Sequence, residues 1–174
     1  MKSKVILSAS GSDRPGLTRA LAEAVLAAGG NWLESHLSRL GGKYVGAVLV
    51  EIEEDELPGF EQAIRGVDAL GLKVSLVPAG EEPQASGAIL SLELVGQDRP
   101  GIVREVTSVL AGLDVNIEDF ATRIENGAWS GERLFRASAR LSIPAGVTSD
   151  QVQSALEAIS GEIMVDFSFT APQN

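Results

Sequence analysis

Asp13-Arg14-Pro15-Gly16 returns 85 residues later as Asp98-Arg99-Pro100-Gly101. Four residues can coincide by chance, so the same offset is carried outward from the turn. Gly11 meets Gly96, Arg19 meets Arg104, and Asn31 meets Asn116. The apolar positions follow: Val5, Leu7 and Ala9 meet Leu90, Leu92 and Leu94, and Leu17, Leu21, Ala24 and Val25 meet Ile102, Val106, Val109 and Leu110. One fold is duplicated, each copy taking about half the chain.

Around each turn the periodicity names the elements. Val5, Leu7 and Ala9 alternate as in a strand, and Leu17, Leu21, Ala24, Val25 and Ala28 step by three and four as on one face of a helix. Pro15 fits the first helical turn, where its missing N–H costs nothing, and Gly29-Gly30 end the helix. A strand from Asn31, a Gly41-Gly42 turn, a strand from Lys43 to Ile52, a helix opened by Pro58 with Phe60, Ile64, Val67 and Leu70 inward, and a strand from Lys73 to Val77 complete the copy. The second copy repeats the order: strand Ile89–Val95, helix Gly101–Gly112, strands Asn116–Ile124 and Arg133–Ile143, helix Ser149–Ser160, strand Ile163–Thr170. Thr148 and Gln151 have the spacing of a capping box.

The expectation is an α+β protein of two tandem ferredoxin-like βαββαβ domains, each a four-stranded antiparallel sheet with two helices on one face. The domains fall at residues 1–78 and 87–174, joined by a Pro- and Gly-containing linker at 79–86. The second hairpin carries six extra residues near Glu125–Ser130, Trp129 among them. The strand around Val45, Ala47 and Leu49 is apolar on both faces, so the open face of the first sheet is expected to pack against either the other copy or a second chain. The second sheet's open face, with Arg136, Ser138, Arg140, Ser91 and Glu93, is polar enough for water.

Composition narrows the function. The formal charge is −10 with the basic residues scattered, which argues against direct nucleic-acid binding and against anionic membranes. The N-terminal apolar run is too short for a signal peptide or a membrane span, so a cytoplasmic location is expected. Zero cysteines exclude disulfides, thiolate metal sites and cysteine nucleophiles. His36 is alone, no metal-ligand spacing appears, and neither Gly-containing turn matches a phosphate-cradling motif; no cofactor and no enzyme activity are expected. Trp32 reads as core, and the run Glu51, Glu53, Glu54, Asp55, Glu56 as a solvated loop leading into a helix.

The two Asp-Arg-Pro-Gly turns, followed after a helix by Asn31 and by Asn116-Ile117-Glu118-Asp119, resemble the ACT domain family over nearly the whole chain. More narrowly, the chain resembles the glycine cleavage system transcriptional repressor family, small tandem-ACT proteins without enzyme or DNA-binding domains. The first copy departs from the pattern with Trp32-Leu33-Glu34 after its asparagine. The resemblance implies a regulatory protein that binds a small effector, often an amino acid, where the first strand meets the first helix. It points to Asp13, Arg14, Pro15, Gly16 and Asn31 in one copy, and to Asp98, Arg99, Pro100, Gly101 and Asn116 in the other. It also implies a protein partner such as a transcription regulator, with the ACT units pairing within the chain and a homodimer as the alternative.

The chemistry of the turn is compatible with this. A loop entering a helix offers backbone N–H groups and the positive dipole end to a carboxylate, while an Asp accepts from an ammonium group and an Asn both donates and accepts. The same residues also fit a structural role, Asp13 capping the helix and Asn31 tying the loop to the neighbouring strand, caps being worth about 1 kcal/mol. An interaction module with no small effector is the corresponding alternative function.

Overall fold

The computed structural model describes residues 1–67, 71–81, 87–127 and 131–169. Leu70, Trp129, Thr170 and the 82–86 stretch of the expected linker lie outside the described residues. The chain divides into two compact units, Met1–Glu82 and Pro83–Asn174.

In the first unit the elements are β1 (Lys2–Ser12), α1 (Leu17–Ala27), β2 (Asn31–Leu40), β3 (Lys43–Glu53), α2 (Leu57–Arg65) and β4 (Leu72–Pro78). The sheet runs β2-β3-β1-β4 with antiparallel neighbours. Val5, Leu7 and Ala9 of β1 and Val48, Val50 and Ile52 of β3 face the helices, which bury Leu17, Leu21, Val25, Phe60 and Ile64 against them. Each Val, Leu, Ile or Phe side chain among them contributes about 1.5–3 kcal/mol on leaving water. Gly41 and Gly42, both at positive φ, make the two-residue hairpin turn between Leu40 and Lys43. Trp32 packs against this core.

The second unit repeats the plan with β5 (Ala88–Gln97), α3 (Ile102–Gly112), β6 (Asn116–Asn126), β7 (Arg133–Ile143), α4 (Ser149–Glu157) and β8 (Met164–Phe169), in the order β6-β7-β5-β8. Both units are thus βαββαβ with four-stranded antiparallel sheets. Gly11 pairs with Tyr44 and Gly96 with Phe135, so the longer second hairpin is inserted between strands whose register is otherwise kept. Thr148 caps α4 as its spacing requires. Its Oγ1 accepts from the Gln151 N–H at 3.2 Å, and Gln151 Oε1 accepts from the Thr148 N–H at 2.9 Å. Thr148→Ala is expected to lower the second unit's stability by about 1 kcal/mol, with Thr148→Ser retaining most of it, in urea denaturation.

Three local expectations are corrected. Pro15 lies in the turn before α1 and not in its first turn, because Gly16 at φ 89° is the left-handed N-cap and the helix begins only at Leu17. Helix α4 ends at Glu157, three residues short of Ser160. Glu51 and Glu53 are strand residues of β3, opposite Lys4 and Lys2, and Lys2 Nζ reaches Glu51 at 2.8 Å. On the open face of the first sheet, Ile6, Val45, Ala47 and Leu49 are half-buried and Val77 is exposed. The chain's own Ala79 and Gly80, just past β4, line one cleft on that face with Ile6, Ala47 and Leu49.

Candidate functional site

Both candidate loops are built alike. Strand β1 ends at Ser12, Gly16 turns left-handed, and α1 starts with no side chain capping its N–H groups. Strand β5 ends at Gln97, Gly101 turns at φ 90°, and α3 also starts without a side-chain cap. Asp13 is therefore not the helix cap. Its N–H donates to the Gly42 carbonyl at 3.4 Å and its carboxylate lies 3.7 Å from Arg39 of β2, tying the loop to the hairpin. Asp98 does the same: its N–H donates to Arg133 O at 3.0 Å and its carboxylate meets the Arg133 guanidinium at 3.1 Å.

The arginine of the second loop turns back on the helix it precedes. Arg99 forms a bidentate pair with Glu105 of α3, the NH1 bond measuring 2.8 Å. These hydrogen bonds hold the Glu105 carboxyl below its ordinary 4.5 and the guanidinium above its ordinary range. In the first unit the helix start is fastened differently, by Thr18 Oγ1 at 2.9 Å from Tyr44 Oη. Val103 and Phe135 occupy the corresponding places of the second copy, so that bond has no counterpart there.

The asparagines do not stand beside the loops of their own units. Asn31 pairs with Glu51, which faces Lys4, whereas the first loop leaves the sheet at Ser12 opposite Lys43. Asn116 pairs with Ser142, which faces Ile89, and the second loop leaves at Gln97. Eight strand residues separate the levels in each unit, roughly 26 Å of extended chain. The helix causes this: it carries the chain back along the sheet, so the residue after it begins at the far end.

Beside the second loop opens a cleft of about 630 Å³ lined by Pro100, Gly101, Arg104, Glu105, Ser108, Val109 and Ile159. Arg104 and Ser108 were not among the expected site residues. Their signal was the i, i+3 and i, i+4 spacing from Gly101 and Arg104, which puts them on the helix face above the loop. Gly101 is open to this cleft, since the nearest atom to a Cβ built there, Glu105 Oε1, is 4.0 Å away. At Gly16 a Cβ would meet nothing within 4 Å. The arrangement offers backbone donors, a guanidinium, a hydroxyl and a carboxylate, a set suited to holding a small polar ligand.

His36 Nε2 is 3.1 Å from Glu34 on the exposed edge strand, and no group of three metal-ligating side chains occurs among the described residues. No helix among them is long and apolar enough to cross a membrane.

No curated protein matches the sequence. Among solved structures, an unknown protein from Galdieria sulphuraria superposes with a TM-score of 0.82 at 26% identity, covering 98% of this chain and 100% of that one. A protein carrying the provisional name glycine cleavage system transcriptional repressor superposes with a TM-score of 0.73 at 16% identity, covering 98% and 99%, which shows a shared fold. The sequence profile of the ACT domain matches residues 3–76 and 88–170, one match on each βαββαβ unit. With both units matched, the chain belongs to the ACT domain family, a regulatory fold in tandem.

Proposed function

We propose that the protein is a cytoplasmic, non-catalytic regulator. It binds an amino acid at the loops between first strand and first helix and passes that state to a protein partner, in the manner of an adaptor-type repressor of the glycine cleavage kind. The observation that carries this reading is the pair of uncapped helix starts behind left-handed Gly16 and Gly101. An uncapped N-terminus leaves backbone donors for an anion, and the dipole favours negative charge there. The net charge of −10 supports action through a protein partner rather than through DNA.

Within the loops, Gly16 and Gly101 allow close approach, and Asp13 and Asp98 keep acceptor capacity for an ammonium group beyond their single arginine contacts. Asn31 and Asn116 are too far from the loops of their own units to join them.

A panel of common amino acids, glycine and serine included, tests this by thermal shift. An amino acid at 100 times its Kd stabilises the native state by about 2.7 kcal/mol. Asp98→Ala and Gly101→Val are expected to reduce that shift, and absence of any shift at millimolar concentration removes the reading. The second reading, an interaction module with no small effector, is favoured by the Arg99–Glu105 pair, which already occupies the second loop's arginine. It predicts partner capture that is unchanged by Asp98→Ala and Asn116→Ala.

A further inference from the structure

The open face of the second sheet carries charge of both signs in a defined pattern. Strand register sets Arg123, Arg136 and Val95 in one row, and Ala121, Ser138 and Glu93 in the next. Two arginines directly opposite one another repel. Glu125 relieves this by accepting from Nε of Arg123 and from Nε of Arg136, the latter at 3.0 Å. These bonds, that from Arg123 first, hold the Glu125 carboxyl below its ordinary 4.5, so the trio carries one net positive charge at neutral pH. A guanidinium has five N–H donors, and one carboxylate exhausts neither arginine.

Glu93 lies on the diagonal from Arg136, a cross-strand separation of about 7–8 Å. It is exposed and makes no ion pair or hydrogen bond among the described residues. Between the poles, Ala121 and Ser138 complete a cleft of about 220 Å³ lined also by Thr122. This is below the ~300–1,000 Å³ of pockets for drug-sized ligands, so its occupant is small.

The duplication supplies an internal comparison. Ser8, Ser38, Val45 and Ala47 occupy the places of Glu93, Arg123, Arg136 and Ser138 in the first copy. The same fold forms there without this charge set, so the fold does not demand it.

We propose that this cleft on the second sheet binds a small free α-amino acid, its carboxylate on Arg123 and Arg136 and its ammonium group on Glu93. Ser138 stands between the poles as a donor to the carboxylate. A cleft that presents two guanidinium groups and a carboxylate fits a ligand whose ammonium and carboxylate groups are bonded to one carbon. The site is separate from the loop after β5 and does not depend on it.

Isothermal titration calorimetry with glycine, L-alanine and L-serine, on the full chain and on E93Q, R136Q and D98A, tests the assignment. Both E93Q and R136Q are expected to weaken binding by about tenfold or more, the scale of one charge-assisted hydrogen bond. N-acetylglycine, which lacks the ammonium group, is expected to bind wild type and E93Q equally weakly. Unchanged affinity in both E93Q and R136Q overturns the sheet site, and if D98A alone loses binding the ligand belongs to the loop. Loss in E93Q and R136Q with D98A unaffected supports the sheet site and counts against the loop. No heat from any of the three amino acids at millimolar concentration overturns both.

Discussion

Phe60→Ala is expected to destabilise the first unit by about 3–5 kcal/mol, the cost of removing a fully buried aromatic ring whose surroundings collapse only partly. Against a total of roughly 5–15 kcal/mol for an ordinary domain, this is a large fraction. Phe60 is the largest fully buried side chain of its core and lies over the short turn between α1 and β2. Gly30 shows how tightly: a Cβ there would sit 2.8 Å from Phe60 Cε2, 2.7 Å from Val50 Cγ1 and 3.1 Å from Val25 Cγ1. Gly30→Ala alone therefore overpacks, at about 1–3 kcal/mol. In the Phe60→Ala background the ring contact is gone and Val50 and Val25 have room to give way to the methyl group, so the two changes together cost less than their sum, by about 0.5–3 kcal/mol. Amide hydrogen exchange over α1 and α2 reads the loss locally, and urea denaturation gives the coupling. Strict additivity would show that the ring does not press on Gly30.

Much of that core is readable from spacing alone. Leu17, Leu21 and Val25 recur at helical intervals, Val48, Val50 and Ile52 at strand intervals, and all six are buried. What escaped was set by partners distant in sequence. Asp13 has the composition of a cap, yet Arg39 and the Gly42 carbonyl, brought up by the hairpin, hold it away from the helix. Asn31 follows its helix closely in sequence, and only the antiparallel return of the chain puts it at the other end of the sheet. That consequence belongs to any strand–helix–strand unit of this topology.

The register irregularities are a third case. One residue is extra at Leu33, between Trp32 and Glu34, and one at Glu118, between Ile117 and Asp119. These are equivalent positions of the repeat, and edge strands with few buried residues alternate too weakly to reveal a bulge. On the second sheet, the alternation of Arg136, Ser138 and Arg140 shows a polar face. That Glu125 bridges two arginines there emerges only from the pairing of β6 with β7.

Gly11 and Gly96 are repeat partners, yet Gly11→Ala is expected to cost about 1–3 kcal/mol and Gly96→Ala less than about 1 kcal/mol. Gly11 pairs with Tyr44 on one side and Leu72 on the other, so β1 is held between β3 and β4 up to the residue before the loop strand ends. A Cβ at Gly11 would lie 2.3 Å from the Gly71 carbonyl oxygen and 2.9 Å from Leu72 Cδ2. The oxygen belongs to backbone that turns at φ 81° into β4, so it moves only if the β1–β4 pairing moves with it. In the second unit the pairing of β5 with β8 runs only as far as Val95 and Met164. A Cβ at Gly96 would press on two side-chain atoms, Ile163 Cγ1 at 3.2 Å and Ile102 Cδ1 at 3.5 Å, which can shift by a few tenths of an ångström, while the Ile163 Cα at 3.9 Å is at ordinary contact distance. Replacing Gly96 also removes unfolded-state freedom, which offsets part of the contact cost. Chemical denaturation of the two variants measures the difference, and equal destabilisation would mean that the Gly71 backbone yields as readily as an isoleucine side chain. Because Gly11 precedes Asp13 by two residues, its alanine variant is also expected to displace the first loop and weaken the effector binding proposed there, while Gly96→Ala leaves the second loop in place.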